Sequence, residues 1–252
     1  MARLTLDGVP AAVLAVSWGV PQAGYFRRLP SSLDAIHDLA AQGAPEGSVV
    51  IAEEQTAGRG REGRPWRSPP GGVWLGLLLR PAQAEPGGSP VAIRAGLAVA
   101  DVIDALLGRP AARLKWPNDV LLDDRKLAGV LCEGRWQGMT PQWLAVGVGI
   151  NVCNEIPPEL ARHAVALRDA LPGVRRIDVL DRLVPLLSRL GNHGARLTEA
   201  ECAAFGARDW LRGRLIRRPI FGRALGPRPD GALMVDAGGV TTAVREGHVE
   251  LA

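Results

Sequence analysis

Residues 48–79 read SVVIAEEQTAGRGREGRPWRSPPGGVWLGLLL, in which two apolar runs enclose a loop of glycines and arginines. Apart from Ser48, the runs 48–52 and 73–79 are β-branched or apolar, which is typical of buried strands. In the loop, three glycines alternate with three arginines between residues 58 and 64, interrupted by Glu62, and Trp66 follows. Glycine lets backbone N–H groups approach a ligand, and arginine offers a planar fork of donors to phosphate or carboxylate. The sequence therefore predicts two strands of a sheet joined by an anion-binding loop.

The remaining pattern predicts an α+β protein with two parts. We expect helices at 31–42 (capped by serine) and 91–107, and a helical stretch at 176–204 that Pro185 should restart or kink. Further strands are expected at 113–116 and 143–151, with a hairpin over 120–133 and a loop over 81–90. Glycines occupy alternate positions, 147 and 149, in the strand 143–151, which predicts that another group approaches its backbone closely. The strands are not regularly separated by helices, so we expect a mixed or antiparallel sheet and not a doubly wound parallel one.

The sequence pattern changes after about residue 212. Glycine, proline and aspartate turns separate short β-like pieces, which predicts a small all-β barrel. The pieces are 215–216, 220–221, 232–235, 240–244 and 248–251. We therefore predict an α+β domain over residues 1–208 and a barrel over residues 209–252.

Composition narrows the class of protein. No apolar run of the 252 residues reaches the roughly 18 that a membrane span requires, and the three cysteines are too scattered for a disulfide framework. We therefore expect a cytoplasmic protein that does not enter a membrane. The net charge of +4 permits nucleic-acid binding, although an arginine-rich composition can equally reflect GC-rich coding.

Two more polar segments lie at predicted strand ends. One is Lys115-Trp116-Pro117-Asn118-Asp119, and the other contains Lys126. Each alone is compatible with an ordinary turn or a solvated surface. Beside an arginine loop, however, Lys126 becomes a candidate for holding the negative charge that develops in a reaction. The chain has no Walker P-loop, kinase signature or Gly-x-Ser-x-Gly elbow, which favours nucleotidyl or phosphoryl transfer by arginine, lysine and aspartate.

Four segments, taken in order, resemble the biotin protein ligases. They are 55–66, 115–119, 125–129 and 147–151. The resemblance implies an α+β, class II synthetase-like catalytic domain with a mixed or antiparallel sheet, followed by an SH3-like barrel. It implies ATP and Mg²⁺ as cofactors and biotin as substrate. In that family, the carboxylate of biotin attacks the α-phosphate of ATP to give biotinyl-5′-AMP and pyrophosphate, and a lysine of a biotin carboxyl carrier protein then takes the biotin.

The resemblance also assigns roles to residues. The catalytic residues are expected to be Lys126, Arg61 and Asp119, with Asp119 also placing Mg²⁺. The expected biotin-binding residues are Ser31, Ser32, Gln55, Gly58, Arg59, Gly60, Arg61, Lys126 and Gly147. The expected ATP-binding residues are Arg61, Arg64, Trp66, Lys115, Asn118, Asp119 and Asn151.

Three further expectations follow from the resemblance. The loop 58–66 should be mobile without ligand and should close over the reactive adenylate to exclude water. A homodimer could form through the catalytic sheet. Only about 30 residues precede Ser31, too few for the helix-turn-helix domain of some family members, so no sequence-specific DNA binding is expected. The chain departs from the family at Pro30 and Leu33, which flank the two serines and make the contacts to the urea ring less secure.

Two alternatives remain open at this point. A lipoate–protein ligase or octanoyl transferase shares the fold, and the Gly-Arg-Gly-Arg and Lys-Trp-Pro-Asn-Asp pair distinguishes biotin from it. A basic nucleic-acid-binding module is the second alternative. It predicts binding that weakens steeply with salt, but the chain has only one tyrosine and three phenylalanines for base stacking.

Overall fold

A seven-stranded mixed sheet carries the larger part of the chain, and a five-stranded antiparallel sheet follows it. The computed structural model describes residues 4–84 and 89–252. Its elements in chain order are β1 (Thr5–Leu6), β2 (Val9–Pro10), α1 (Leu14–Trp18), β3 (Ala23–Leu29), α2 (Ser32–Ala41), β4 (Val49–Gln55), β5 (Val73–Leu79), α3 (Ser89–Leu107), β6 (Arg113–Lys115), β7 (Asp119–Leu122), β8 (Arg125–Gln137), β9 (Thr140–Ile150), α4 (Arg176–Leu187), α5 (Glu199–Arg208), β10 (Leu215–Arg218), β11 (Gly222–Pro227), β12 (Leu233–Ala237), β13 (Val240–Val244) and β14 (Glu250–Leu251).

The large sheet has the strand order β3-β4-β5-β9-β8-β7-β6. Strands β3 and β4 are parallel and the other neighbours are antiparallel. The predicted mixed sheet is therefore confirmed. Strand β5 lies in the interior of this sheet, and both of its faces are buried. Leu75 and Leu77 belong to the main core and Leu78 to a smaller core under α2, which explains why residues 73–79 are apolar without alternation.

Helix α2 packs on the face of the large sheet that carries the smaller core. The side chain of Ser31 caps it by accepting a hydrogen bond from the amide of Leu33 at 3.3 Å. The start of the helix approaches β5 closely, because a Cβ on Gly76 would lie 2.7 Å from the carbonyl oxygen of Ser32. Glycine at this position therefore sets how deeply the first turn of α2 sits on the sheet.

The helical stretch predicted at 176–204 is two helices. Pro185 lies inside α4, which ends two residues later at Leu187, so the lost backbone hydrogen bond falls in the last turn. Helix α5 has its own start, where Thr198 and Glu201 form a capping box. The helix predicted at 91–107 begins at Ser89, so the end of the predicted loop is helical, while residues 85–88 of that loop lie outside the described residues.

The C-terminal sheet has the strand order β13-β12-β11-β10-β14. The pattern predicted a strand piece at 220–221, but these residues lie between β10 and β11, and the strand runs from Gly222. Strands β13 and β14 stand at the two ends of the order, and no pairing joins them within the part of the chain that the structure describes. The observed element is thus an open antiparallel sheet. No helix in residues 4–84 and 89–252 is both long and apolar enough to cross a membrane.

Two tryptophans connect the C-terminal sheet to the large one. The indole of Trp116, which is 1% exposed, donates to the carbonyl of Gly231 at 2.8 Å. The indole of Trp210 donates to Asp124 at 2.6 Å, in the turn between β7 and β8. These contacts hold the C-terminal sheet beside β6 and β7, where residues 247–249 reach the cavity described next.

Candidate active site

A cavity of about 1150 Å³ opens between the arginine loop, the start of α2, strands β6–β9 and residues 247–249. Every site residue predicted from the sequence lines it. These residues are Ser31, Ser32, Gln55, Gly58, Arg59, Gly60, Arg61, Arg64, Trp66, Lys115, Asn118, Asp119, Lys126, Gly147 and Asn151. Segments that are up to about 120 residues apart in the chain therefore share one site.

The indole of Trp66 forms part of the cavity floor. It lies on a pair of glycines, Gly129 of β8 and Gly149 of β9, which face each other across the two strands. We call this pair the glycine floor. A Cβ on Gly149 would lie 2.8 Å from Trp66 Nε1, and one on Gly129 would lie 3.2 Å from the six-membered ring. The alternating glycines predicted a close approach to this strand, and at Gly149 the approaching group is this tryptophan. The indole N–H is buried and has no hydrogen-bond partner among the described residues.

A group of two lysines and one aspartate lies beside this floor. Lys126 Nζ is 2.6 Å from Asp119 Oδ1, an ion pair whose angle falls outside hydrogen-bond geometry, and 4.8 Å from the centre of the Trp66 ring. Lys115 faces Asp119 across the β6–β7 pair. Burial lowers the pKa of Lys115, Asp119 opposes this, and the neighbouring charge of Lys126 adds to it. One carboxylate thus lies between two cations that repel each other.

Asn118 shapes the turn that carries these groups. Its side-chain amide donates to the carbonyl of Val130 at 2.7 Å, and its own carbonyl accepts from the amide of Val130 at 2.9 Å. Asn151 lies nearby at the end of β9, where its side-chain oxygen accepts from Asn154 at 3.1 Å. Both asparagines therefore have structural bonds as well as a place on the cavity wall.

The donor set offers little to a resident metal ion. Asp119 is paired with Lys126, and no group of three or more His, Cys, Asp or Glu residues in the described ranges could hold a metal. A single carboxylate fits a Mg²⁺ ion that arrives already bound to phosphate oxygens, because Mg²⁺ keeps most of its other ligands from substrate and water.

The end of the cavity next to α2 is lined by groups that bond to each other. Gln55 accepts from the amide of Ser32 at 2.7 Å and donates to Ser68 at 2.8 Å. Leu33 covers Gly147, where a Cβ would lie 3.0 Å from the leucine side chain. The N-terminus of a ten-residue helix also opens here, which favours polar or anionic atoms of a ligand.

The arginine loop has a fixed neck and an open tip. At the neck the amide of Trp66 donates to Gly58 and the amide of Gly60 donates to Arg64, both at 2.8 Å. The guanidinium of Arg59 forms two hydrogen bonds to Glu133 and an ion pair with Asp34.

At the tip, Arg64 is exposed and forms an ion pair with the neighbouring Glu62 at 3.0 Å. Arg61 forms no ion pair within the residues described. The tip therefore carries two arginines that can turn toward an anion.

Several lining residues were not predicted as site residues. Leu33 was noted only as a departure from the family pattern. Gly129 belongs to the segment 125–129 of the resemblance but was given no role, and the alternating glycines did point to Gly149. His163 and His248 also line the cavity, although neither lies in a recognisable motif. Partial burial, followed by the charges of Lys115 and Arg64, lowers the pKa of His248.

Comparison with known proteins agrees with this geometry. The model of the Biotin/lipoate A/B protein ligase family matches residues 25–151. The bifunctional ligase/repressor BirA of Bacillus subtilis is 31% identical over 238 residues, which are 90% of this chain and 73% of that protein. The biotin–[acetyl-CoA-carboxylase] ligase of Mycobacterium tuberculosis is 34% identical over 227 residues, which are 83% of this chain and 81% of that protein.

A solved structure of a biotin protein ligase is also similar to this chain. The biotin protein ligase from Aquifex aeolicus, in complex with biotin and ATP, matches 92% of this chain and 99% of its own with a TM-score of 0.73 and 25% identity. The family match covers half of the chain, and it includes the arginine loop, the Lys115–Asp119 segment, Lys126 and the Gly147–Asn151 segment. This chain belongs to the biotin/lipoate A/B protein ligase family.

Proposed function

We propose that this protein is an ATP-dependent biotin protein ligase that acts on a lysine of a biotin carboxyl carrier protein. The observation that carries the proposal is the meeting of the arginine loop, the Lys126–Asp119 pair and the glycine floor in one cavity. The relatives described above include a biotin–[acetyl-CoA-carboxylase] ligase and a structure with biotin and ATP bound, which supports the same substrates here.

In the first step, a carboxylate oxygen of biotin bonds to the α-phosphorus of MgATP, and pyrophosphate leaves. Two anions must meet, so cations have to offset their repulsion and the charge of the transition state. Lys126 is the group we place between the biotin carboxylate and the α-phosphate. Arg61 and Arg64 reach the phosphate oxygens from the tip of the loop. Asp119 holds Lys126 in position and would help hold the Mg²⁺ that arrives with ATP, an ion that would offset the charge of the phosphates.

We place the ring system of biotin at the end of the cavity next to α2. Ser31, Ser32 and Gln55 supply hydroxyl and amide groups to the ureido ring. Leu33 fills the space over Gly147 and gives that end an apolar wall against the thiophane ring. The backbone of residues 58–60 lies above, and its glycines leave room for a ligand close to the main chain.

We place the adenine on the other side of the Lys126–Asp119 pair. Trp66 offers a flat indole for stacking, and Asn151 borders the same side. Lys115 and Asn118 complete the wall toward the phosphates. In this arrangement the loop covers both halves of the adenylate, so one closing movement protects the mixed anhydride from water.

In the second step, the amine of a carrier lysine bonds to the acyl carbon, the bond to the phosphate oxygen breaks, and AMP leaves. We further propose a catalytic domain over residues 1–208 and, for residues 209–252, the SH3-like barrel of the family. A cytoplasmic location suits a ligase of carboxylase subunits. Pairing of two copies through the large sheet is part of the same proposal.

A lipoate–protein ligase is the second candidate, because the family model includes both kinds of enzyme. The experiment that separates them incubates the protein with ATP and one acid at a time: biotin, lipoate or octanoate. We expect pyrophosphate release with biotin and a product with the mass of biotinyl-5′-AMP. Release with lipoate alone would reject the biotin assignment. A salt titration against duplex DNA tests the nucleic-acid alternative, for which we expect no specific binding.

A further inference from the structure

Arg59 differs from the other arginines of the loop because its donors are already engaged. Its Nε and Nη2 atoms donate to the two carboxylate oxygens of Glu133, each at 2.8 Å, and its Nη1 atom lies 2.8 Å from Asp34. This is the bidentate arrangement that makes arginine–carboxylate pairs both strong and directional. A ligand anion would have to compete with two carboxylates for this guanidinium. Arg59 is therefore better suited to hold the loop than to bind phosphate.

A second set of bonds orients Glu133. The indole of Trp143 donates to Nδ1 of His37 at 2.9 Å, so that nitrogen is the acceptor and the ring proton lies on Nε2. Nε2 in turn lies 3.1 Å from Glu133 Oε2 and donates to it. The hydrogen bonds from Arg59 and His37 lower the pKa of Glu133 to about 2. The carboxylate is thus ionised and held from two sides at any working pH.

We infer that Arg59 is a positioning residue, and that Glu133, oriented by His37 and Trp143, fixes the neck of the arginine loop over the cavity. We call these four residues the clamp. Arg59 comes from the loop, and Glu133, His37 and Trp143 come from β8, α2 and β9, so the clamp joins the loop to three elements around the large sheet. It leaves the tip, with Arg61 and the side chain of Arg64, as the part that moves when the cavity closes. The inference rests on the proposed function for its catalytic consequence, but the clamp itself can be tested without any substrate.

The first test measures hydrogen exchange of the loop in the ligand-free protein. Glu133→Gln removes the charge and one acceptor while keeping the shape of the side chain. We expect the amides of Gly60 and Trp66, which form the neck bonds, to exchange about 10- to 100-fold faster, the range that a hydrogen bond to a charged group commonly supplies. Glu54→Gln is the matched control. Glu54 also borders the cavity, and its ion pair is a long one, 3.7 Å, with exposed Arg28.

The second test measures retention of the product of the first step. Wild-type enzyme and variants are loaded with biotin and ATP, and the release of biotinyl-5′-AMP is followed by mass spectrometry of the free fraction. Glu133→Gln should release it about tenfold faster or more at an unchanged melting temperature, and Glu54→Gln should retain it. Trp143→Phe keeps an aromatic ring but loses the N–H donor, so it should produce a smaller change in the same direction.

The outcomes separate the clamp from the proposed function. If wild-type protein makes no adenylate, the ligase proposal fails, and hydrogen exchange still tests the clamp. If Glu133→Gln exchanges and retains adenylate as wild type does, or if Glu54→Gln changes equally, the clamp is rejected. If Glu133→Gln does not fold, Trp143→Phe decides: faster exchange at the loop neck supports the clamp, and an unchanged rate rejects it.

Discussion

Replacing Gly149 with alanine tests whether the position of the Trp66 indole against the glycine floor matters for activity. The new Cβ would lie 2.8 Å from Trp66 Nε1 and 2.9 Å from the adjacent ring carbon, closer than side-chain carbons approach one another. The indole is rigid and cannot bend away, so it has to lift by roughly 0.5–1 Å to reach ordinary contact. Gly149 has a strand conformation that alanine adopts without strain, so the fold should persist.

The expected size of the effect follows from the role of Trp66. If Trp66 positions the adenine against Lys126, a displacement of this size should lower kcat/KM for ATP by about 10- to 100-fold. Gly129→Ala should cause a smaller loss of kcat/KM than Gly149→Ala and so provides an intermediate case. Its Cβ would lie 3.2 Å from the ring and 3.3 Å from the Lys126 side chain, so the loss should be smaller, below about tenfold. Gly96→Ala in α3, with its nearest neighbour at 3.6 Å, is the control that should keep full activity.

The assay is initial-rate pyrophosphate release at varied ATP with biotin held saturating, together with the melting temperature of each variant. We expect the order wild type, Gly96→Ala, Gly129→Ala, Gly149→Ala, from most to least active. Full activity in a folded Gly149→Ala enzyme would refute the role given to Trp66. Equal losses in the two floor variants would show that the predicted displacement of the indole does not set the rate.

Three further predictions concern other parts of the molecule. Lys126→Ala should lower the rate of adenylate formation by about 10²- to 10³-fold with little change in melting temperature, and normal pyrophosphate release would contradict this. Asp209, 5% exposed, has a pKa that burial raises from 3.8 to about 6, so its ionisation destabilises the fold above pH 6 and not below about 4. Asp209→Asn should therefore stabilise the protein by about 1–3 kcal/mol in urea unfolding at pH 7.5 and lose this advantage at pH 4, and a pH-independent difference would reject the assignment. Trypsin should cut the ligand-free protein within 58–66 and should cut more slowly with biotin and ATP present, whereas full protection of the empty enzyme would count against a mobile tip.

The sequence predicted residues that come together around one cavity, because its signals are local. Short motifs place Lys115, Asp119 and Lys126 at strand ends, and antiparallel pairing of neighbouring strands brings such ends together. The alternating glycines at 147–149 also indicated a close approach. The sequence could not show that Trp66 is the group that approaches Gly149, since this depends on the register of β8 and β9 and on the path of the loop.

The features that the sequence did not reveal depend on distant pairing. The carboxylate of Glu133 lies 74 positions from Arg59, and no local pattern connects the two. Strand β3 was not predicted because residues 23–29 contain glycine and two arginines, a composition that suits an edge strand better than a buried one. The contribution of His248 to the cavity likewise depends on how the C-terminal sheet docks through Trp116 and Trp210.

The most direct test of the proposed function is the identity of the first product. The protein is incubated with MgATP and biotin, and in parallel with MgATP and lipoate, and the reactions are analysed by mass spectrometry and by pyrophosphate release. We predict biotinyl-5′-AMP and one equivalent of pyrophosphate with biotin, both nearly abolished by Lys126→Ala. Absence of the biotinyl adenylate from folded wild-type protein, or its formation at an equal rate by the Lys126 variant, would contradict the proposed function and mechanism.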